Sequence, residues 1–205
     1  MSKQKSLHVV LAIAILIVFV GMASYAYFTS LIDNDASSEI TVITHTTDSF
    51  VFTMGDELEL EAHQENFGPE AEDLITSSTS TVALTASSSD TSTHCYNVNL
   101  VISDNEFIYT TPENTPELLF KIVKNNITLV DNLDITTAGA GSTYTHTIPT
   151  VSGGGVYKHQ IVAPANQTTT DTFVASITFV NLNESQNANT GKSISGTVEF
   201  SKTDC

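Results

Sequence analysis

"CYNVNLVIS" (Cys95–Ser103) sets Tyr96, Val98, Leu100 and Ile102 on one side of an extended chain, with Cys95, Asn97, Asn99 and Val101 on the other. Successive side chains of a strand point to opposite faces, so this alternation puts one face on a core and leaves the other half wet. The pattern recurs outward in both directions. Towards the N-terminus it runs through "SEITVITH" (Ser38–His45), "SFVFTM" (Ser49–Met54), "ELELEA" (Glu57–Ala62) and "STVALTAS" (Ser80–Ser87). Towards the C-terminus come "STYTHTI" (Ser142–Ile148), "GVYKHQIVA" (Gly155–Ala163), "DTFVASITFVNL" (Asp171–Leu182) and "GKSISGTVEF" (Gly191–Phe200). "ELLFKIVK" (Glu117–Lys124) is more continuously apolar and reads as a buried strand ended by Asn125-Asn126. Thr, Val and Ile dominate these runs, and branched side chains suit a pleated, half-buried surface.

Turn residues fall between the runs: Gly139-Ala140-Gly141, Gly153-Gly154-Gly155, Pro164 and "NESQNANTG" (Asn183–Gly191). About ten short strands so punctuated predict an all-β fold, an antiparallel β-sandwich of Ig-like or jelly-roll type. Only "QENFGPEAEDLITSS" (Gln64–Ser78) lacks period two. It reads as a loop or a short helix capping one end of the sandwich.

The N-terminus has a different grammar. Lys3 and Lys5 precede an unbroken apolar run from Val9 to Val20, which Gly21, Met22 and Ala23 extend. That run fits the apolar core of a secretory signal and is short for a bilayer span of ~20 residues. Ser24 and Ala26 are small residues placed for a signal peptidase cutting between Ala26 and Tyr27. The organisation expected is therefore a signal peptide over 1–26, an extended segment over 27–37 and the sandwich over 38–205. Retention of the first segment as an N-terminal hydrophobic membrane helix is the alternative, and either way the rest lies outside the cytoplasm. No Glu stands where a type IV prepilin needs one.

The whole chain of 205 residues carries a formal net charge of −16. Beyond the apolar run it has five lysines and no arginine against 23 acidic residues. Such a surface repels phosphate backbones and anionic headgroups, which excludes nucleic acid as a partner and limits membrane contact to the N-terminal segment. Cys95 and Cys205 are the only cysteines. In an exported chain an even pair suggests a disulfide that clamps the last strand to a central one. Two free thiols, or intermolecular pairing through Cys205, are the alternatives.

No catalytic pattern stands out. The six histidines, His8, His45, His63, His94, His146 and His159, form no His-Glu-x-x-His and no i, i+4 pair, although His146 and His159 could meet across a hairpin. Asp131-Asn132-Leu133-Asp134 and the acidic Gln64–Asp73 segment offer oxygens without a calcium-loop spacing. "GGG" (153–155) suits a hairpin bend better than a phosphate cradle. Asn126, Asn166 and Asn183 open glycosylation sequons expected by chance in a chain this rich in Asn and Thr. No catalytic residue, metal or cofactor is expected, and a structural or interaction role is.

Two ends of the chain carry a resemblance. "GMASYAYFTS" (Gly21–Ser30) is similar to the signal junction of the camelysin/TasA-like family of secreted bacterial surface proteins, in which small residues lead into an aromatic-Phe-Ser/Thr step, here Tyr27-Phe28-Thr29. "ITFVNLNESQNANTGKSISGTVEF" (Ile177–Phe200) resembles the strand–loop–strand ending of many TasA-like proteins. The acidic residue usual directly after the first motif is replaced by Ser30-Leu31. The resemblance implies a β-sandwich, processing by a signal peptidase, and a place at the cell surface or, in the TasA branch, in biofilm matrix fibres. Fibre growth there implies strand donation: Tyr27–Ile43 would complete the sheet of the next subunit, inserting Ile32, Ile40 and Val42. Pairing of that segment within its own subunit is the alternative. Camelysin has been classed as a metallopeptidase, but no motif carries that activity over. A membrane-anchored extracellular binding module and a camelysin-like secreted metallopeptidase are the competing functions.

Overall fold

The structure, a computed structural model, describes residues 39–43, 48–67, 71–87 and 90–205. The apolar N-terminal segment, the Ala26–Tyr27 junction, Ile32 and His45 lie outside the described residues. Eleven strands are seen among those described: β1 (Glu39–Ile43), β2 (Ser49–Thr53), β3 (Leu58–Ala62), β4 (Leu74–Thr85), β5 (Ser92–Asn105), β6 (Leu118–Lys124), β7 (Ile127–Asp134), β8 (Tyr144–Thr147), β9 (His159–Ala163), β10 (Thr168–Phe179) and β11 (Lys192–Thr203). Two 3-10 turns, Gln64–Asn66 and Asn187–Asn189, are the only helical pieces among them.

All pairings are antiparallel and build two sheets. One has the order β1-β2-β4-β10-β6-β7; the other has β3-β11-β5-β8, with β9 also on β5. The chain changes sheet at seven of the ten connections between described strands, and only β1–β2 and β6–β7 are sequence neighbours that pair. Inward residues from both sheets form one core. Tyr96, Val98, Leu100 and Ile102 of β5 are fully buried against Phe120, Ile122, Phe173 and Phe179 of the other sheet. The alternation in Cys95–Ser103 therefore has its cause in a single sheet face lying on a core. Glu39–Cys205 forms one compact unit.

Asn125-Asn126 ends β6 at Lys124, as expected, and also turns the chain into a strand that was not anticipated, for Ile127–Asp134 is β7, paired back onto β6. Both asparagines have positive φ, 48° and 67°. This is the backbone of a tight hairpin turn whose twist matches its strands, and Asn tolerates it better than most side chains. Two expectations need correction. Gln64–Asn66 is a short helical turn, but from Leu74 the stretch read as loop or helix is strand β4. The inward positions of that first half are Ser78 and Ser80, so alternation of apolar and polar residues is invisible there. Gly55 explains the serines: its backbone packs against this part of β4, and its N–H donates to Ser80 Oγ at 3.0 Å.

The other correction is that β8 and β9 are not a hairpin. Tyr144–Thr147 pairs with Asn99–Ile102 and His159–Ala163 with Ser92–Tyr96, both antiparallel to β5. They run the same way along one edge, and the excursion carrying Gly153-Gly154-Gly155 interrupts them. Thr150 N–H donating to Val156 O at 2.7 Å closes that excursion.

Candidate functional sites: the first strand, the disulfide and two buried polar clusters

β1 is the edge strand of the six-stranded sheet, and its ladder runs along β2 alone. The register sets Ile40 opposite Phe52 and Val42 opposite Phe50. Thus Ile40 and Val42, the residues expected to be donated, pair within their own chain in this structure. Beneath them β2 is fixed. Phe50 and Phe52 are buried with ring centroids 4.8 Å apart, Phe50 stacks on His94 at 5.0 Å, and Phe52 stacks on Phe200 at 5.7 Å. Asp48 anchors the start of β2, taking hydrogen bonds from Ser92 Oγ (2.5 Å) and Ser87 N (3.2 Å). Those bonds, Ser92 foremost, hold its carboxyl below the ordinary range. Four residues, 44–47, join this fixed point to β1.

Cys95 and Cys205 form a disulfide, with Cα atoms 5.2 Å apart. The register places Thr203 of β11 opposite Cys95 of β5, so the chain end folds back onto a central strand.

Behind the disulfide lies a polar cluster in the core. Tyr96 is fully buried and donates its hydroxyl to Asp171 Oδ2 at 2.5 Å. Lys124 Nζ meets the same oxygen at 2.8 Å, and Asn125 Nδ2 donates to Oδ1 at 2.8 Å. Burial first, and then the bond to Asp171, push the Tyr96 phenol far above its usual range, so it remains a proton donor. His159 stacks on Tyr96 at 5.4 Å, and its Nε2 donates to Ile148 O at 3.1 Å. Its Nδ1 is buried with no hydrogen-bond partner. Burial holds this imidazole below its ordinary 6.5, and Lys124 reinforces the effect, against the opposing pull of the Ile148 carbonyl and of Asp171.

A second cluster closes one end of the sandwich. Glu117 is fully buried with no cation beside it among the described residues. Its Oε1 accepts Thr110 N (2.5 Å) and Thr110 Oγ1 (2.6 Å), and its Oε2 accepts Gln186 Nε2 (2.8 Å) and Asn189 Nδ2 (2.9 Å). Four donors to one carboxylate replace the water it gave up. Asn189 also spans Ile108, donating to its O and accepting from its N, so "NESQNANTG" is tied inward by Gln186 and Asn189. Sequence reading missed this site. The available signal was an acid flush against an apolar run, Glu117-Leu118-Leu119-Phe120.

The residues read as possible calcium ligands do not gather. Asp131 pairs with Lys121 at 3.1 Å, whereas Asp134 accepts Tyr109 Oη at 2.6 Å and Thr136 Oγ1 at 2.7 Å. Burial alone would raise the Asp134 carboxyl, but these bonds prevail and lower it. His63 lies near Glu61 (3.8 Å), His94 on Phe50 and His146 on Tyr144. Among the described residues no three His, Cys, Asp or Glu side chains converge as a metal site. Nor is any described helix long and apolar enough to cross a membrane. One open concavity, of about 400 Å³, is lined by Tyr109, Asp134, Thr137, Ser142 and Tyr144. Comparison of the chain with protein-family models and with characterised proteins returns no match.

Proposed function

We propose that this chain is an exported structural protein of the cell surface or extracellular matrix, a TasA-like fibre subunit that assembles by passing its first strand to the next copy. A jelly-roll is the finer class we assign, since the chain alternates between sheets. The observation that supports assembly is the position of β1: an edge strand at the start of the compact unit, held through β2 alone, on the far side of four linking residues from the Asp48 anchor. An edge strand so attached can leave one β2 and occupy another without disturbing the core, and the backbone ladder would supply affinity in either place. The signal-like segment and the resemblance at both ends of the chain favour the same reading.

The register supplies the test. Thr41 stands opposite Val51. In a T41C/V51C variant, strand exchange produces disulfides between copies, seen as a ladder on a non-reducing gel of assembled material. Cross-linking confined to single chains, or a mature protein that stays monomeric at all concentrations, would overturn the proposal. A second reading, a membrane-anchored binding module, draws on the concavity between Tyr109 and Tyr144, where two aromatic rings, a carboxylate and hydroxyls face one space. It requires the apolar N-terminus on the mature protein, which mass spectrometry of exported material decides.

A further inference from the structure

Lys124 and Asp171 lie on neighbouring strands, β6 and β10, beside the Asn125-Asn126 turn. Their side chains are only 18% and 9% exposed. Among the described residues the lysine has one polar side-chain partner, Asp171. Its Nζ also lies over the rings of Tyr96 and Phe173, each centroid 5.6 Å away. The carboxylate is further held by Tyr96 Oη and Asn125 Nδ2, whereas the ammonium has exchanged most of its water for ring faces and one carboxylate oxygen.

The geometry points to a covalent outcome: an intramolecular isopeptide bond between Lys124 Nζ and the side-chain carboxyl carbon of Asp171. The ammonium first passes a proton across the 2.8 Å contact to Oδ2, leaving a neutral amine beside a carboxylic acid. The nitrogen lone pair then attacks Cγ. Negative charge develops on Oδ1, where Asn125 Nδ2 already donates at 2.8 Å. Asn125 is held for this task, for its Oδ1 accepts Thr172 N and its own N–H donates to Thr172 O. Tyr96 gives its hydroxyl proton to Oδ2 as the Cγ–Oδ2 bond breaks, and regains one from the new C–N nitrogen. One ammonium and one carboxylate are consumed, and one amide and one water are formed. No oxidant, reductant or activating group is needed.

Reach is supplied by the sheet. β6 and β10 are hydrogen-bonded neighbours with Lys124 in register with Phe173, two residues from Asp171. Nucleophile and carbonyl are therefore preorganised, which replaces the activation an intermolecular condensation would require. The bond would weld two strands of the six-stranded sheet and act whether or not β1 exchanges.

Peptide mapping of the unfolded, reduced wild-type chain decides the matter. With the bond in place trypsin cannot cut after Lys124. The 122–158 peptide is then recovered joined to the 159–192 peptide, at a mass one water below their sum. Intact mass shows the same deficit, and K124R and D171A abolish both signatures. Y96F, which keeps lysine and aspartate, leaves a fraction of the chains unlinked. Release of a free 122–124 peptide from the unfolded, reduced wild-type chain, with the full intact mass, would overturn the inference without reference to any variant.

Discussion

At the scale of single residues, the core tolerates polar groups only where their partners are already positioned. His159 is held neutral: its Nε2 is used on Ile148 O, and its Nδ1 faces no acceptor. Protonation would place an N–H there with nothing to accept it. The folded-state pKa is thus below the ordinary 6.5 while the unfolded chain titrates near that value. The unfolded state then binds more protons in this window, so stability is full above about 6.5 and is lost as pH falls from there towards the folded value. His94 and His146 are lowered in the same sense, chiefly by burial, and add to the slope. Melting temperature measured across that range should fall on acidification, and H159Q should show a shallower fall.

Glu117 gives the complementary case. E117A leaves Gln186, Asn189 and Thr110 donors buried without an acceptor, at a cost of ~1–3 kcal/mol for each orphaned group. E117Q keeps the shape and one acceptor oxygen and should cost less. Urea unfolding of the two variants ranks them, and the reverse order would mean that the network is not what holds this end of the sandwich.

At the scale of elements, legibility followed the chemistry of the inward face. β5 could be read directly because Tyr96, Val98, Leu100 and Ile102 are all apolar. β10 was read from Asp171, although the structure starts it at Thr168, because Phe173, Ile177 and Phe179 carry the pattern. The first half of β4 was hidden because a close-packed glycine backbone at Gly55 demands serines where a core strand normally shows valine. β7 was hidden for another reason: its bulge near Lys121 breaks the alternation, and Asn132 sits there at φ 54°. The Asn125-Asn126 turn that precedes it is equally backbone-driven. At Asn126, with φ 67°, a glycine substitution should preserve stability or raise it. N126V forces a branched side chain into the left-handed region and should cost ~1–2 kcal/mol in thermal or chemical unfolding. Equal stability of the two variants would show that the turn is not set by its backbone conformation.

At the scale of the whole molecule, the connections rather than the strands determine how the fold is held. Because the chain changes sheet so often, most contacts join residues far apart in sequence, and such a topology loses much chain entropy before its pairings form. The terminal strand β11 is the extreme case, since it comes last and must lie between β3 and β5. The disulfide bears on that step. It joins residues 110 apart, tying the chain end to the start of β5 where Thr203 meets Cys95. A count of two cysteines supported a bond clamping the last strand to a central one, against free or intermolecular thiols, and the structure shows that bond; that β11 would lie between β3 and β5 depended on a strand order that no single segment records. In the chain-entropy account a loop of this length contributes about 4–5 kcal/mol by restricting the unfolded state. Reduction, or a C95A/C205A variant, should therefore lower the unfolding free energy by about that amount and leave the native strand content unchanged. Circular dichroism with urea titration measures both. A large loss of stability with the sheet retained places the effect in the unfolded chain, whereas loss of β-sheet signal before denaturant is added would mean that β11 does not dock without its covalent tie.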